Sequence, residues 1–592
     1  GPVSRVKEGR IKGKAMTYYD EARKNPFMAR GNVRLDGCTC TWGPHEIAGM
    51  SGTISAESFS APLRIILAGQ FDRSRIRRLD ARLSAPFGES RSRFVLLMDQ
   101  LRPQGRVTLD DAALKVEGSG KGRDLRGAMD LRAAGVTVAQ EERTWRVRSV
   151  SAAADFRLRL AEKNGASLEG LVIRSPSSRL EGTVALQGDD GSARLTGRID
   201  LRDVSVNGAT GTRVLGGSAE GELALAWGSE PRASGAIALH HATLPLQDDM
   251  ITLDGSMTVR SPRISFTGLQ VRSGEVLATL SGEVLREKQP FFTGDVTVQG
   301  LHLDGKGAGF SFLKDIRADA GMHFNECVIY GLPVQSARAD ATLDQGLLKL
   351  EGLVMETVWG SARGTAQLAL DGPSSFDVTV KLQDSDLKKL LEASGGTMAM
   401  DGLLDVDGRL WGGTDSLNGT LAVTAKHGEI RRYKLLSQIF SLLNVYRISQ
   451  TQDIDFLSRH FTYNRIHATL NIRDNVVNFD DLSLDSNSIQ ASAVGTYTLG
   501  SKKIDASIGV QPLETIDRAV SMIPVVGWVL AGDKGRFIVL SMKVSGTLDD
   551  PMVMVAPIDT LSNTVAASLL RSLRLPGRLI DESLQLINGK KQ

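Results

Sequence analysis

Apolar and polar residues alternate along most of this chain. Ile466, Ala468, Leu470 and Ile472 interleave with His467, Thr469, Asn471 and Arg473, and Ile504, Ala506, Ile508 and Val510 repeat the pattern. A period of two predicts strands with one apolar and one polar face. The same pattern over Phe27–Leu35, Glu46–Ile54, Leu63–Gln70, Arg93–Met98, Gly105–Leu109 and Ala113–Glu117 predicts further strands. Turn signals recur between and after them, as at Pro103–Gly105, Glu117–Gly120 and Gly188–Gly191. From about residue 186 a loose repeat emerges: a turn, then a strand opening on glycine, at Gly197, Gly235, Gly294 and Gly419. A supersecondary unit repeated along a chain predicts a solenoid-like or continuous-sheet architecture.

Helical spacing is scarce. Asp384–Ala393 carries acidic residues and Ser385 at its start, with Gly395-Gly396 beyond it, as helix capping prefers. Over 431–447, Leu435, Ile439 and Leu443, with Leu436 and Phe440, recur at helical spacing, which predicts an apolar helix. That helix either packs on its own sheet or plugs the sheet's apolar face. The stretch 519–531 is an apolar loop containing Val525, Val526, Trp528 and Leu530, either buried or touching a membrane, since Trp favours membrane interfaces. Beyond Pro557, Leu569 and Leu573 belong to a leucine-rich, basic helix. This helix and a second amphipathic piece either cap the sheet or lie on a membrane surface.

Composition turns this pattern into a fold class. With 592 residues, 62 glycines and only 5% aromatic residues, the chain reads as one repetitive β architecture. At ~13 residues per strand and turn it supplies roughly 40 to 45 strands, and at ~4.8 Å per strand step a continuous sheet would reach about 200 Å. Too few helices are present to cover such a sheet. The expected fold is mainly β: a long, twisted, antiparallel-rich sheet curled into an apolar-lined groove, with a few short helices towards the C-terminus. Exposed apolar lining of that extent is expected to carry acyl chains. The predicted lining is Ile466, Leu470, Ile472, Ile504, Ile508 and Val510. The predicted gate or membrane-contact residues are Leu435, Ile439, Phe440, Leu443, Val525, Val526, Trp528, Leu530, Leu569 and Leu573.

Charge and motifs exclude other classes. A formal net charge of +3 is too small for a nucleic-acid binder. Three cysteines make no disulfide framework, and Cys38 and Cys40 share one face of a strand. Gly118-Ser-Gly-Lys-Gly122 lacks the spacing of a phosphate loop and reads as a hairpin turn. Cys38-Thr-Cys40 with His45 lacks a fourth ligand and zinc spacing. His240 and His241 are neighbours in a strand and face opposite ways. No nucleophile–base constellation appears, so neither an enzyme nor a metal or cofactor is expected. No segment approaches the ~20 apolar residues needed to span a bilayer.

The last third carries a family resemblance. Its features are the short helix Ser385–Ala393 with Gly395-Gly396, and Leu410-Trp-Gly-Gly-Thr414 followed by Leu417-Asn-Gly419. Ile523–Gly535 and the closing Val544-Ser-Gly-Thr-Leu-Asp-Asp-Pro551 complete the set. Together they resemble the C-terminal region of AsmA-like, TamB-type proteins of Gram-negative envelopes, which are similar to bridge-like lipid transfer proteins. The resemblance implies a periplasmic β-groove moving phospholipids between inner and outer membranes. It also implies an N-terminal inner-membrane anchor, missing from this chain, and an outer-membrane protein or the outer membrane as partner at the C-terminal end. The alternative expectation is a scaffold assembling outer-membrane proteins by strand addition. Gly1-Pro2 reads as a tag remnant. Residues 3–394 read as an elongated β-groove, 395–557 as the AsmA-like region and 558–592 as amphipathic helices.

Overall fold

A computed structural model describes residues 3–556, less connecting stretches of which the longest are 84–91, 304–315, 446–459 and 514–526. Beyond 556 it describes Ala567 and Arg571. The chain is mainly β, with 37 strands and two α-helices among the described residues, fewer and longer strands than the turn spacing suggests. It divides into two compact units: Gly1–Gly274 with Thr279–Glu287, and Glu275–Ala278 with Lys288–Gln592.

In the first unit the ladder begins antiparallel through Val3–Asp20, Asn25–Trp42, His45–Ala56, Leu63–Phe71, Ser74–Leu83 and Ser92–Asp99. It continues through Ala113–Lys121, Asp124–Gln140, Arg143–Arg159, Gly165–Arg174, Arg179–Gln187, Asp190–Asp200 and Gly216–Trp227. Arg232–Leu246, Asp249–Arg260 and Arg263–Ser273 follow. The two 17-residue strands, Asp124–Gln140 and Arg143–Arg159, also carry a side ladder: Val107–Asp110 pairs with the first and Val204–Gly208 with the second. A buried knot sits where the main and side ladders diverge. Asp203 accepts hydrogen bonds from Ser175 Oγ (2.6 Å), Ser178 Oγ (2.7 Å) and the Ser177 amide (2.9 Å). Asp200 accepts from the Arg202 amide and guanidinium.

The second unit contains a departure from the antiparallel pattern. Phe291–Gln299 pairs parallel with Arg317–Ile329, and the intervening chain 304–315 lies outside the described residues. Antiparallel pairing then carries the ladder from Arg317–Ile329 through Leu332–Asp344, Leu347–Thr357, Gly360–Ala369, Ser375–Asp386, Leu403–Gly413 and Leu417–Arg431. It runs on through His460–Arg473, Val476–Asp485, Ile489–Thr498, Lys503–Pro512, Gly535–Gly546 and Pro551–Val555.

Several sequence expectations shift. The first helix, α1 (Leu387–Ala393), starts later than the capping pattern suggests, because Ser385 and Asp386 still pair with Leu404 and Leu403 of the neighbouring strand and Asp386 is the N-cap. The second, α2 (Lys434–Val445), starts later than 431, because Arg431 ends a strand by pairing with His460. Part of the expected apolar loop is strand: Gly527–Gly532 pairs with Gly535–Gly546. Glu117–Gly120 is strand too, not a turn. A Cβ on Gly118 would stand 2.7 Å from the Phe94 ring and 2.8 Å from that of Phe156, so the missing side chain makes room for the two rings.

Candidate functional site: an apolar face of the sheet

Strand register converts the alternation into continuous apolar rows. In the first unit one row runs Val33, Ile54, Ile65, Ala81, Phe94, Gly118, Gly127, Phe156, Leu168, Val184, Ala193 and Leu225, each directly opposite the next. The Phe94 and Phe156 rings meet across the two glycines with centroids 6.0 Å apart. Most of these side chains are half-buried, and the opposite face is mostly exposed, as in the alternating pattern of Asp190–Asp200. A second sheet packed ~10 Å away would bury such a face fully. The first unit's face is therefore open among the described residues.

The second unit continues the same logic with a cover. Leu404, Ala425, Ile466, Leu484, Ala491, Val510 and Leu540 form one row, and Leu421, Leu470, Phe479, Gly495, Ala506 and Val544 another. A third contains Ile472, Val477, Tyr497 and Ile504. The six predicted lining residues thus share one face. Ile466, Leu470 and Ile504 are half-buried, whereas Ile472 (5% exposed), Ile508 (8%) and Val510 (0%) are fully buried.

Helices account for part of that burial. Leu435, Leu436, Ile439, Phe440 and Leu442 of α2 join the apolar cluster formed by these strands, and the Phe440 ring meets Phe461 at 5.2 Å. Leu387, Leu390 and Leu391 of α1 enter the same cluster. Leu387, Ile439 and Phe440, the fully buried ones among these, each contribute about 1.5–3 kcal/mol. Tyr463 locks the strands beneath: its hydroxyl donates to the Asp401 carbonyl at 2.6 Å, and burial, with the charge of Asp401, pushes its pKa up to about 12. Gly364 marks how closely strands approach, since a Cβ there would lie 1.9 Å from the Thr379 carbonyl oxygen.

Other predicted residues are placed less fully. Trp528 and Leu530 lie in strand Gly527–Gly532, opposite Val539 and Phe537. Leu443 lies in α2. Val525, Val526, Leu569 and Leu573 lie outside the described residues. Cys38, Cys40 and Cys327 are buried and unbridged. Among the described residues no group of His, Cys, Asp or Glu is arranged to hold a metal ion, and no helix is long and apolar enough to cross a membrane.

What these features define is a mainly-β chain whose open strand ladders carry unbroken apolar rows, with two short helices laid on the rows of the second unit. Residues 319–553 match the family model described as YhdP protein, a family of the AsmA-like, bridge-like lipid transfer group. The matched stretch contains both helices and all six predicted lining residues. No curated protein and no solved structure matches the chain.

Proposed function

We propose that this protein is a non-enzymatic carrier of phospholipids, moving them between the inner and outer membranes across the periplasm. Acyl chains lie on the apolar rows while head groups stay in water. Desolvation of each methylene supplies about 0.8 kcal/mol, so transfer along the rows needs no covalent chemistry. The observation that carries this reading is the half-exposed row from Val33 to Leu225, whose members are all apolar or glycine. The YhdP family match over 319–553 supports it. An inner-membrane anchor and an outer-membrane partner belong to the same proposal.

A second reading rests on strand Pro551–Val555. Among the described residues it pairs on one side only, with Met552 and Met554 exposed, which favours strand addition by an outer-membrane protein under assembly. Mass spectrometry of organic extracts from the chain purified without detergent separates the two. Several phospholipids per chain are expected. A folded chain that carries none overturns the carrier in favour of the scaffold.

A further inference from the structure

Behind the first unit's apolar row, on the opposite face, runs a row of cations. Arg64 stands directly opposite Arg82, and Arg82 opposite Arg93. The row passes through Ser119 to Arg126, which stands opposite Arg157. Like charges directly opposite one another on a sheet destabilise it unless something neutralises them. Nothing among the described residues does. None of the five arginines has an ion pair, and Arg157 Nε is buried without a hydrogen-bond partner.

The neighbouring acids are engaged elsewhere or stand apart. Asp80 pairs with Arg78 and Glu117 with Lys115, both at 2.8 Å and both deeper on the sheet. Asp155 occupies the next row, two residues from Arg157. Towards the margin, Asp124 pairs with Arg159. The contrast with these satisfied pairs makes the bare row a feature of its own.

Its position gives the ligand. Arg64, Arg82 and Arg93 are each one residue from the end of their strands, so the row borders the ladder's margin. On the inner face beside it, Leu63 stands opposite Leu83 and Leu125 opposite Leu158, with Ser92 and Gly120 on the two strands between them, so the margin there is mostly apolar. Two strand residues span ~7 Å, within reach of an arginine side chain. Guanidinium groups grip phosphate bidentately. We infer that this arginine row holds the phosphate groups of lipids whose acyl chains lie on the apolar face behind it. The inference rests on the carrier reading and extends it by selecting phosphate-bearing lipids.

The test replaces Arg64, Arg82 and Arg93 with Gln together and measures lipid per chain after exposure to phosphatidylglycerol vesicles or to a diacylglycerol emulsion. The variant is expected to load about five-fold less phosphatidylglycerol, as the loss of charge-assisted pairs implies, with diacylglycerol loading unchanged. A triple Arg→Lys chain, which keeps the charge without the fork, should fall between and serves if the Gln chain does not fold. Equal phosphatidylglycerol loading by all three chains overturns the inference and leaves the carrier reading standing. Wild-type failure to load either lipid overturns both. Calorimetric binding of inorganic phosphate that is lost in the variant, with phosphatidylglycerol loading intact, makes the row a free-anion site and overturns the lipid assignment.

Discussion

Individual side chains matter here mainly by fixing where strands meet and part. The knot of Asp200, Asp203, Ser175, Ser177 and Ser178 lies where the first unit's main and side ladders diverge. Hydrogen bonding from Arg202 holds the Asp200 carboxyl down at about 2, against its ordinary 3.8. Asp203 is also lowered: burial opposes its charge, but bonds from Ser175, Ser178 and Ser177 outweigh that. A depressed carboxyl contributes stability above its unfolded value and loses it as pH falls through its folded value. The first unit should therefore lose stability between about pH 4 and about pH 2. An Asp200→Asn chain should begin less stable at pH 7 and show a shallower loss across that window, read from urea midpoints at each pH. An unchanged slope would mean that Asp200 plays no part in the acid transition.

At the scale of elements, α2 is held by its apolar stripe. Phe440 is 7% exposed and meets Phe461, and α2 also touches strand Pro551–Val555. Truncating a buried Phe to Ala typically costs 3–5 kcal/mol, by the lost transfer energy and the cavity together, here about 3 kcal/mol or more. Phe440→Ala should speed amide exchange in His460–Arg473 and Pro551–Val555 and leave the first unit's exchange unchanged. Uniform protection in the variant would show that α2 is not fastened through this ring. Both helices and most strands were legible in the sequence, because periods of 3.6 and 2 are local properties. Boundaries at Asp384–Asp386 and Arg431 were not, since cross-strand pairing overrode capping chemistry and helical spacing. Strand Gly527–Gly532 was hidden because a short apolar run suits a buried loop as well as a strand. The arginine row was invisible for a deeper reason. Arg64, Arg82 and Arg93 align only through register, and no spacing along the chain encodes which residue stands opposite which.

For the whole molecule, carriage along a row is transport in series, and this makes a prediction that binding alone does not. A charge placed on an open, half-buried station interrupts the row without removing a packed core residue. Leu96, two residues from Phe94 and opposite Leu79 and Val116, and Leu223, two residues from Leu225 and opposite Leu195, are such half-buried stations on the first unit's apolar face, whereas Ile508, at 8% exposed and surrounded by its cluster, is not. An aspartate at Ile508 would be an unpaired buried charge and would unfold the second unit's core before it tested transport. Leu96→Asp alone should abolish most transfer of phospholipid between donor and acceptor vesicles. It should lower the number of lipids held per chain only slightly, because the other stations remain. Leu223→Asp should do the same. The double variant should transfer about as little as either single one, since one block in series already limits the flow along the row and a second adds little. Independent pockets would behave otherwise: each substitution would remove its own share of occupancy, transfer would fall in proportion, and the two losses would add. Measuring occupancy and transfer on the same preparations therefore separates a continuous conduit from a string of isolated lipid sites.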